Sequence, residues 1–272
     1  MSQYSRLTTS AKTQQPCFGS YGVPFEVDVA VTSLIEKTRD GCPPSSRAMR
    51  RSAEQIALRY PSFLCAQYAL ASVILNSPGP HSAASVALNR AWSIGTTALM
   101  EKRIVDVHYS ASQGNASFLN AGAGLAKQKV LQSDLIGALT LVNRVIRLDV
   151  EDASDGRFVK AHIEQLMGDK TAATSLAKVA SSHDPKAFYA LGLEYLRVHR
   201  AQDAALSFRE GIEGAPEVAE ILLGLDHSHK GKKNRSPLSA QQYVETFCLA
   251  EWTSTELAAL GKVATLTLRA GT

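Results

Sequence analysis

Apolar and small residues recur at three- and four-residue spacing from about residue 27 to residue 268, and short polar or proline-containing breaks cut the runs. The spacing predicts helices over 27–38, 46–58, 62–76, 81–94, 97–110, 116–130, 134–148, 157–167, 170–181, 185–198, 201–213, 216–224, 239–250 and 254–268. The breaks consist of residues that end helices: "GCPP" at 41–44, "NSPGP" at 76–80, "DASDG" at 152–156, "HDP" at 183–185 and "GAP" at 214–216. Alanine and leucine, both strong helix formers, dominate the runs, and alternating apolar–polar strand runs bounded by turns are missing. Short helices on short loops, with alanine at tight contacts, predict an all-α chain of paired antiparallel helices.

The first 25 residues, "MSQYSRLTTSAKTQQPCFGSYGVPF", break this pattern. They are rich in Ser, Thr, Gln, Gly and Pro and have no helical period, which predicts a flexible N-terminal arm over 1–25, disordered or loosely docked, ahead of a single helical domain over 26–272. The first acidic residue is Glu26, and an acid-free, Ser/Thr-rich start is also the composition of an organelle transit peptide. Only Arg6 and Lys12 are basic there, with no amphipathic face, so a cytoplasmic location is the stronger expectation.

One stretch is ordered enough to test for a repeat. With Pro185 as position 1 of a 34-residue unit, Phe188 stands at 4, Leu191 at 7, Gly192 at 8 and Tyr195 at 11. Ala204 then stands at 20, Phe208 at 24, Gly211 at 27 and Pro216 at 32. Small residues at Gly192 and Ala204 let two helices cross closely, while Leu191, Tyr195 and Phe208 fill the seam. Pro216 cannot continue the preceding helix and opens the next, where its missing N–H costs nothing. Weaker copies begin at Cys65, Leu119 and Ser154, and the wide gap between the first two leaves room for an inserted helix at about 97–112.

These residues match the W-x2-L-G-x2-Y, A-x3-F, P pattern with Phe188 in place of the tryptophan, and the chain resembles the tetratricopeptide-repeat (TPR) family over roughly 62–218. The repeats would run over about 65–98, 119–152, 154–184 and 185–218, with a cap over 219–272, since terminal repeats must cover an exposed core. The resemblance implies an all-α, right-handed solenoid of antiparallel helix pairs with a helical C-terminal cap. It also implies a concave groove that binds peptides or proteins, lined from first-helix positions 2, 5, 9, 12 and 13. Carried onto this sequence, those positions select Asn120, Lys127 and Leu131; Phe158, His162 and Gln165; and Lys186, Tyr189, Leu193 and Arg197. Such a basic, aromatic and apolar mixture suits an extended or helical peptide of acidic character. The family's Lys/Asn/Lys/Arg clamp for a terminal carboxylate is met only at Lys186, which argues against that kind of tail capture.

Composition changes this picture little. Of 272 residues 45% are hydrophobic and 20% charged, and the net charge of +4 does not argue for nucleic acid by itself. Lys230, Lys232, Lys233 and Arg235 form a basic loop that could contact phosphate or an acidic partner, but no aromatic residue is interleaved for base stacking. His227 and His229, in the same loop, are too few for a zinc site. Cys17, Cys42, Cys65 and Cys248 lack metal or disulfide-framework spacing and read as reduced thiols. "DVEDASDG" at 149–156 resembles a calcium loop until position 12, which is Lys160. "NAGAG" at 120–124 lacks the G-K-[ST] of a phosphate loop and serves close helix packing. Trp92 and Trp252 read as core anchors. The sequence therefore predicts a non-catalytic binding or adaptor protein with no metal and no cofactor, acting on a protein or peptide. Two rivals are homo-oligomeric self-assembly and an enzyme built on distant residues such as His162 and Glu194.

Overall fold

In the computed structural model, residues 7–9, 16–19, 23–39, 47–77, 82–182, 184–225, 237–247 and 252–270 are described. They are helical apart from loops, a 3-10 turn and one pair of three-residue strands, β1 (Leu7–Thr9) and β2 (Pro16–Phe18). The helices are α1 (Phe25–Arg39), α2 (Arg47–Arg59), α3 (Leu64–Leu75), α4 (Ser82–Lys102), α5 (Gln113–Leu131), α6 (Leu135–Leu148), α7 (Gly156–Leu166), α8 (Ala172–Ser182), α9 (Ala187–Arg197), α10 (Ala201–Gly214), α11 (Pro216–Leu223), α12 (Pro237–Phe247) and α13 (Ser254–Ala270). Their bounds lie within a few residues of the expected ones, with one departure. The helices expected over 81–94 and 97–110 are a single helix, α4, that runs through Gly95 and ends at Lys102. Gly95 does not break it: a Cβ there would lie 2.2 Å from the Phe118 ring, so the glycine lets α5 approach. Beyond α4 the chain passes Arg103 at φ 53°, bridges Val107 to Asp149 and makes one 3-10 turn over Tyr109–Ala111. No described helix is long and apolar enough to cross a membrane.

The chain divides into two compact units where a single domain was expected. The first comprises Met1–Gln132 and Ile136–Arg157, the second Ser133–Leu135 and Phe158–Thr272. The division falls inside α7, in an unbroken helical run, so no change of composition marks it.

In the first unit α3 is apolar around its whole circumference, "LCAQYALASVIL", and packs against α1, α2, α4 and α5. An amphipathic helix covers one side of a core; a helix apolar on every side is the core. Trp92 of α4 and Phe118 of α5 stack with centroids 4.6 Å apart, and Gly122 admits Trp92, whose ring a Cβ there would approach to 2.5 Å. The expected arm contributes to this stack. Phe18, at the end of β2, is 3% exposed and sits 5.1 Å from the Phe118 ring. Its N–H donates to Asn115 Oδ1 at 2.9 Å and its carbonyl accepts from Ser112 Oγ at 3.2 Å. Within the expected arm, disordered or loosely docked, Phe18 is thus one aromatic anchor amid polar composition.

The second unit contains the 185–218 stretch. In the α9–α10 pair, a Cβ on Gly192 would lie 2.4 Å from the Phe208 ring, and one on Gly211 would lie 3.1 Å from Tyr189. Ala204 is fully buried, and Pro216 opens α11. Small residues therefore stand opposite large ones at this helix contact. C-terminal to it, α11 packs against α12 and α13, and α13 also against α10.

Candidate functional site

The residues selected for a groove fall into two sets, one in each unit. In the first unit Asn120 and Lys127 stand two turns apart on α5, on one stripe of the helix, and both are half-buried. Asn120 Nδ2 donates to the Tyr109 hydroxyl at 2.9 Å. Tyr68 of α3 hydrogen-bonds with Ser72 and Asn120, and burial pushes its phenol up to about 12, so it stays protonated. Lys127 Nζ donates to Asp155 Oδ2 at 2.7 Å. The patch thus holds an amide, two tyrosine hydroxyls, an ammonium and a carboxylate, each held by a neighbour. Such groups pair with peptide N–H and C=O groups and with charged side chains. Tyr68, Tyr109 and Asp155 were not among the selected residues. Tyr68 stands at position 4 of the copy starting at Cys65 and Asp155 at position 2 of the copy starting at Ser154, so both registers were available; Tyr109 lies outside any repeat.

In the second unit the selected residues are occupied by the chain itself. His162 of α7 is fully buried. Its Nδ1 lies 2.8 Å from the Phe158 carbonyl and its Nε2 3.1 Å from the Tyr243 hydroxyl of α12. A carbonyl only accepts, so Nδ1 carries the proton and Nε2 accepts from Tyr243. With both nitrogens engaged, His162 offers no site to a metal or a substrate. Phe158, Tyr243 and Phe247 enclose it, the Phe158 centroid at 4.4 Å and that of Phe247 at 4.5 Å. Gln165, also buried, donates from Nε2 to the Ala190 carbonyl at 3.2 Å. Tyr189 is fully buried and its hydroxyl donates to the Ala215 carbonyl at 2.8 Å. These four side chains belong to the core, a correction to the expected groove. The sequence pattern Tyr243-x3-Phe247 announces an apolar stripe on α12 but not which helix it covers.

Lys186 and Arg197 are not buried in the core but are ion-paired, as Lys127 is. Lys186 Nζ lies 2.7 Å from Asp184 Oδ2. Arg197 reaches Glu194 Oε1 at 3.5 Å and Glu256 Oε1 at 3.3 Å. Glu256 closes a capping box with Thr253 at the start of α13: its Oε2 accepts from the Thr253 N–H at 2.6 Å, and its own N–H donates to Thr253 Oγ1 at 3.3 Å. Partial burial pushes the Glu256 carboxyl up, but the Thr253 hydrogen bonds and Arg197 outweigh it and hold the group below the ordinary carboxylate range.

Other candidate chemistry resolves into structure. Cys65 lies inside α3, and burial pushes its thiol up to about 12, which leaves it unreactive near neutrality. In the acidic loop, Asp149 Oδ2 accepts from the Ser154 N–H at 2.7 Å, and Asp152 pairs with Arg157. Lys230, Lys232, Lys233 and Arg235, with His227 and His229, lie outside the described residues. Among the described residues no three His, Cys, Asp or Glu side chains are grouped to hold a metal. Compared with known proteins, the chain matches no family model and no curated relative.

Proposed function

We propose that the chain is a non-catalytic protein- or peptide-binding adaptor whose ligand lies on the Tyr68, Tyr109, Asn120 and Lys127 face of the first unit. The observation that carries the reading is the state of Asn120 and Lys127. Both are half-buried, and each is held by a short bond, to Tyr109 at 2.9 Å and to Asp155 at 2.7 Å. Polar heads fixed before the ligand arrives lose little conformational freedom on binding, and the affinity gained is the ordering cost avoided. A peptide amide can exchange for the Tyr109 hydroxyl at Asn120, and an acidic side chain can exchange for Asp155 at Lys127.

The tetratricopeptide-like, right-handed solenoid belongs to the same reading. It is supported by the contacts of Gly192 with Phe208 and of Gly211 with Tyr189, and by Pro216 at the head of α11. The test is differential capture from native lysate on three baits of equal helicity: wild type, Asn120→Ala with Lys127→Glu, and Lys186→Glu with Arg197→Glu. A partner kept by the last bait and lost by the second supports this face. Equal capture by all three overturns it.

A further inference from the structure

A second surface of the first unit lies on another side of α3. Gln67, Leu70 and Ile74, at i, i+3 and i+7, form the floor of a groove of about 260 Å³. At 100° per residue, this stripe is well separated around α3 from Tyr68 and Ser72, so the groove stands independently of the face proposed above. Arg50 and Glu54 of α2 line one wall, Val86 and Arg90 of α4 the other. The floor runs seven residues, or about 10 Å of helix. The volume is below the roughly 300–1,000 Å³ of small-molecule pockets, which suits side chains of a peptide better than a whole metabolite.

The chemistry of the walls identifies the occupant. Val86 is 56% exposed, an apolar side chain left in water at the edge of an apolar floor. Arg90 has no ion pair among the described residues, and Arg50 is held only by Glu54 at 3.0 Å, a half-exposed pair that an incoming carboxylate can replace at little cost. Arg47, exposed and three residues before Arg50 on α2, neighbours it on the helix surface. Gln67 spends its amide hydrogens on the Ala57 carbonyl at 3.0 Å and the Pro61 carbonyl at 3.3 Å, and its Oε1 has no partner. The lining contains no aromatic ring on which a base could stack, which sets nucleic acid aside. From a largely apolar floor two turns long between basic edges, we infer that the groove receives an acidic amphipathic helix of a partner protein, with apolar anchors against Leu70, Ile74 and Val86 and carboxylates on Arg50 and Arg90.

The experiment uses the full chain and a phage-displayed library of helical peptides randomised on one face. Selected peptides are synthesised and titrated by fluorescence anisotropy. The expected selection is acidic, with apolar residues at i, i+3 and i+7. Its binding should weaken at least tenfold in Arg90→Glu and in Val86→Glu, and less than threefold in Arg90→Lys. Asn120→Ala should leave it unchanged, which separates this groove from the face proposed above. Arg90 and Val86 are exposed, and equal thermal unfolding of the variants confirms that folding is intact. Failure to enrich any peptide, enrichment without acidic residues, binding indifferent to Arg90→Glu and Val86→Glu, or equal binding of a single-stranded oligonucleotide would overturn the proposal.

Discussion

Lys127 and His162 stand at the same register position, the ninth of units that start at Leu119 and Ser154, yet their surroundings are opposite. The Lys127 side chain is 30% exposed and reaches Asp155 across a loop. His162 is fully buried beneath α12 and hydrogen-bonded to Tyr243, 81 residues along the chain. A repeat register identifies which side of a helix faces a neighbouring layer. It does not say whether that layer is water, a ligand or another part of the same chain. In the first unit the Lys127 position stays partly exposed; in the second α12 covers the matching position.

The largest effect that separates the two faces is expected from Phe158→Ala. Phe158 contributes a buried ring to the His162, Tyr243 and Phe247 cluster, and its loss should destabilise the second unit by about 3–5 kcal/mol. The two tryptophans report separately: Trp92 stacks on Phe118 in the first unit and Trp252 lies 5.8 Å from Phe208 in the second. In denaturant titrations, Phe158→Ala should lower the Trp252 midpoint and leave that of Trp92 unmoved. An equal shift of both midpoints would break the comparison, because the two units would then unfold as one.

Next in size come the helix crossings, where the units should behave alike. Gly192→Val in the second unit and Gly122→Val in the first each place carbon within 2.5 Å of an aromatic ring. Overpacking of this kind costs about 1–3 kcal/mol. Each variant should lower its own tryptophan midpoint. A silent Gly192→Val would remove the main support for reading α9 and α10 as a repeat.

Legibility in the sequence followed the length of chain between partners. The Gly192–Phe208 contact, and Pro216 at the head of α11, lie within one hairpin and its exit, so a 34-residue pattern could contain them. The burial of Phe18 depends on Asn115, 97 residues away, and that of His162 on Tyr243, 81 residues away. No local period records such partners. The burial of Phe18 was not legible because one phenylalanine stands among Ser, Gln and Gly. The groove was half-misread because α12 shows an apolar stripe without an address. The α2–α3–α4 groove was missed because its floor lies outside the positions that the resemblance selects.

Acid should produce a smaller effect, in both units. Glu151 is held below the ordinary carboxylate range by the side chain and backbone of Ser110, and Glu256 by Thr253 and Arg197 against its partial burial. A carboxylate with a lowered folded value stabilises fully above the unfolded value of about 4.3, and that stability is lost as pH falls through the folded value. Denaturant midpoints should therefore be level near about pH 6 and fall toward about pH 3. Glu256→Gln should flatten the Trp252 curve alone. Both carboxylates are partly solvated, so the change is modest. Flattening of the Trp92 curve by Glu256→Gln would contradict the division of the chain.

The smallest stability change is the one that matters most for the proposed binding face. Lys127→Ala removes a surface ion pair with Asp155, and pairs of this kind contribute about 0–1 kcal/mol. Neither tryptophan midpoint should move by more than that. Partner capture should nevertheless fall, because a desolvated charge lost from an interface costs more than the same charge lost from a solvated surface. The opposite ordering holds for His162→Ala, at the matching position: it should unsettle the second unit by leaving Tyr243 without its buried acceptor, while capture per folded molecule stays constant. One position number would then carry a binding residue in one unit and a folding residue in the other. Loss of capture in His162→Ala at full folding, or a Lys127→Ala protein that unfolds, would reverse the assignment and return the ligand to the second unit.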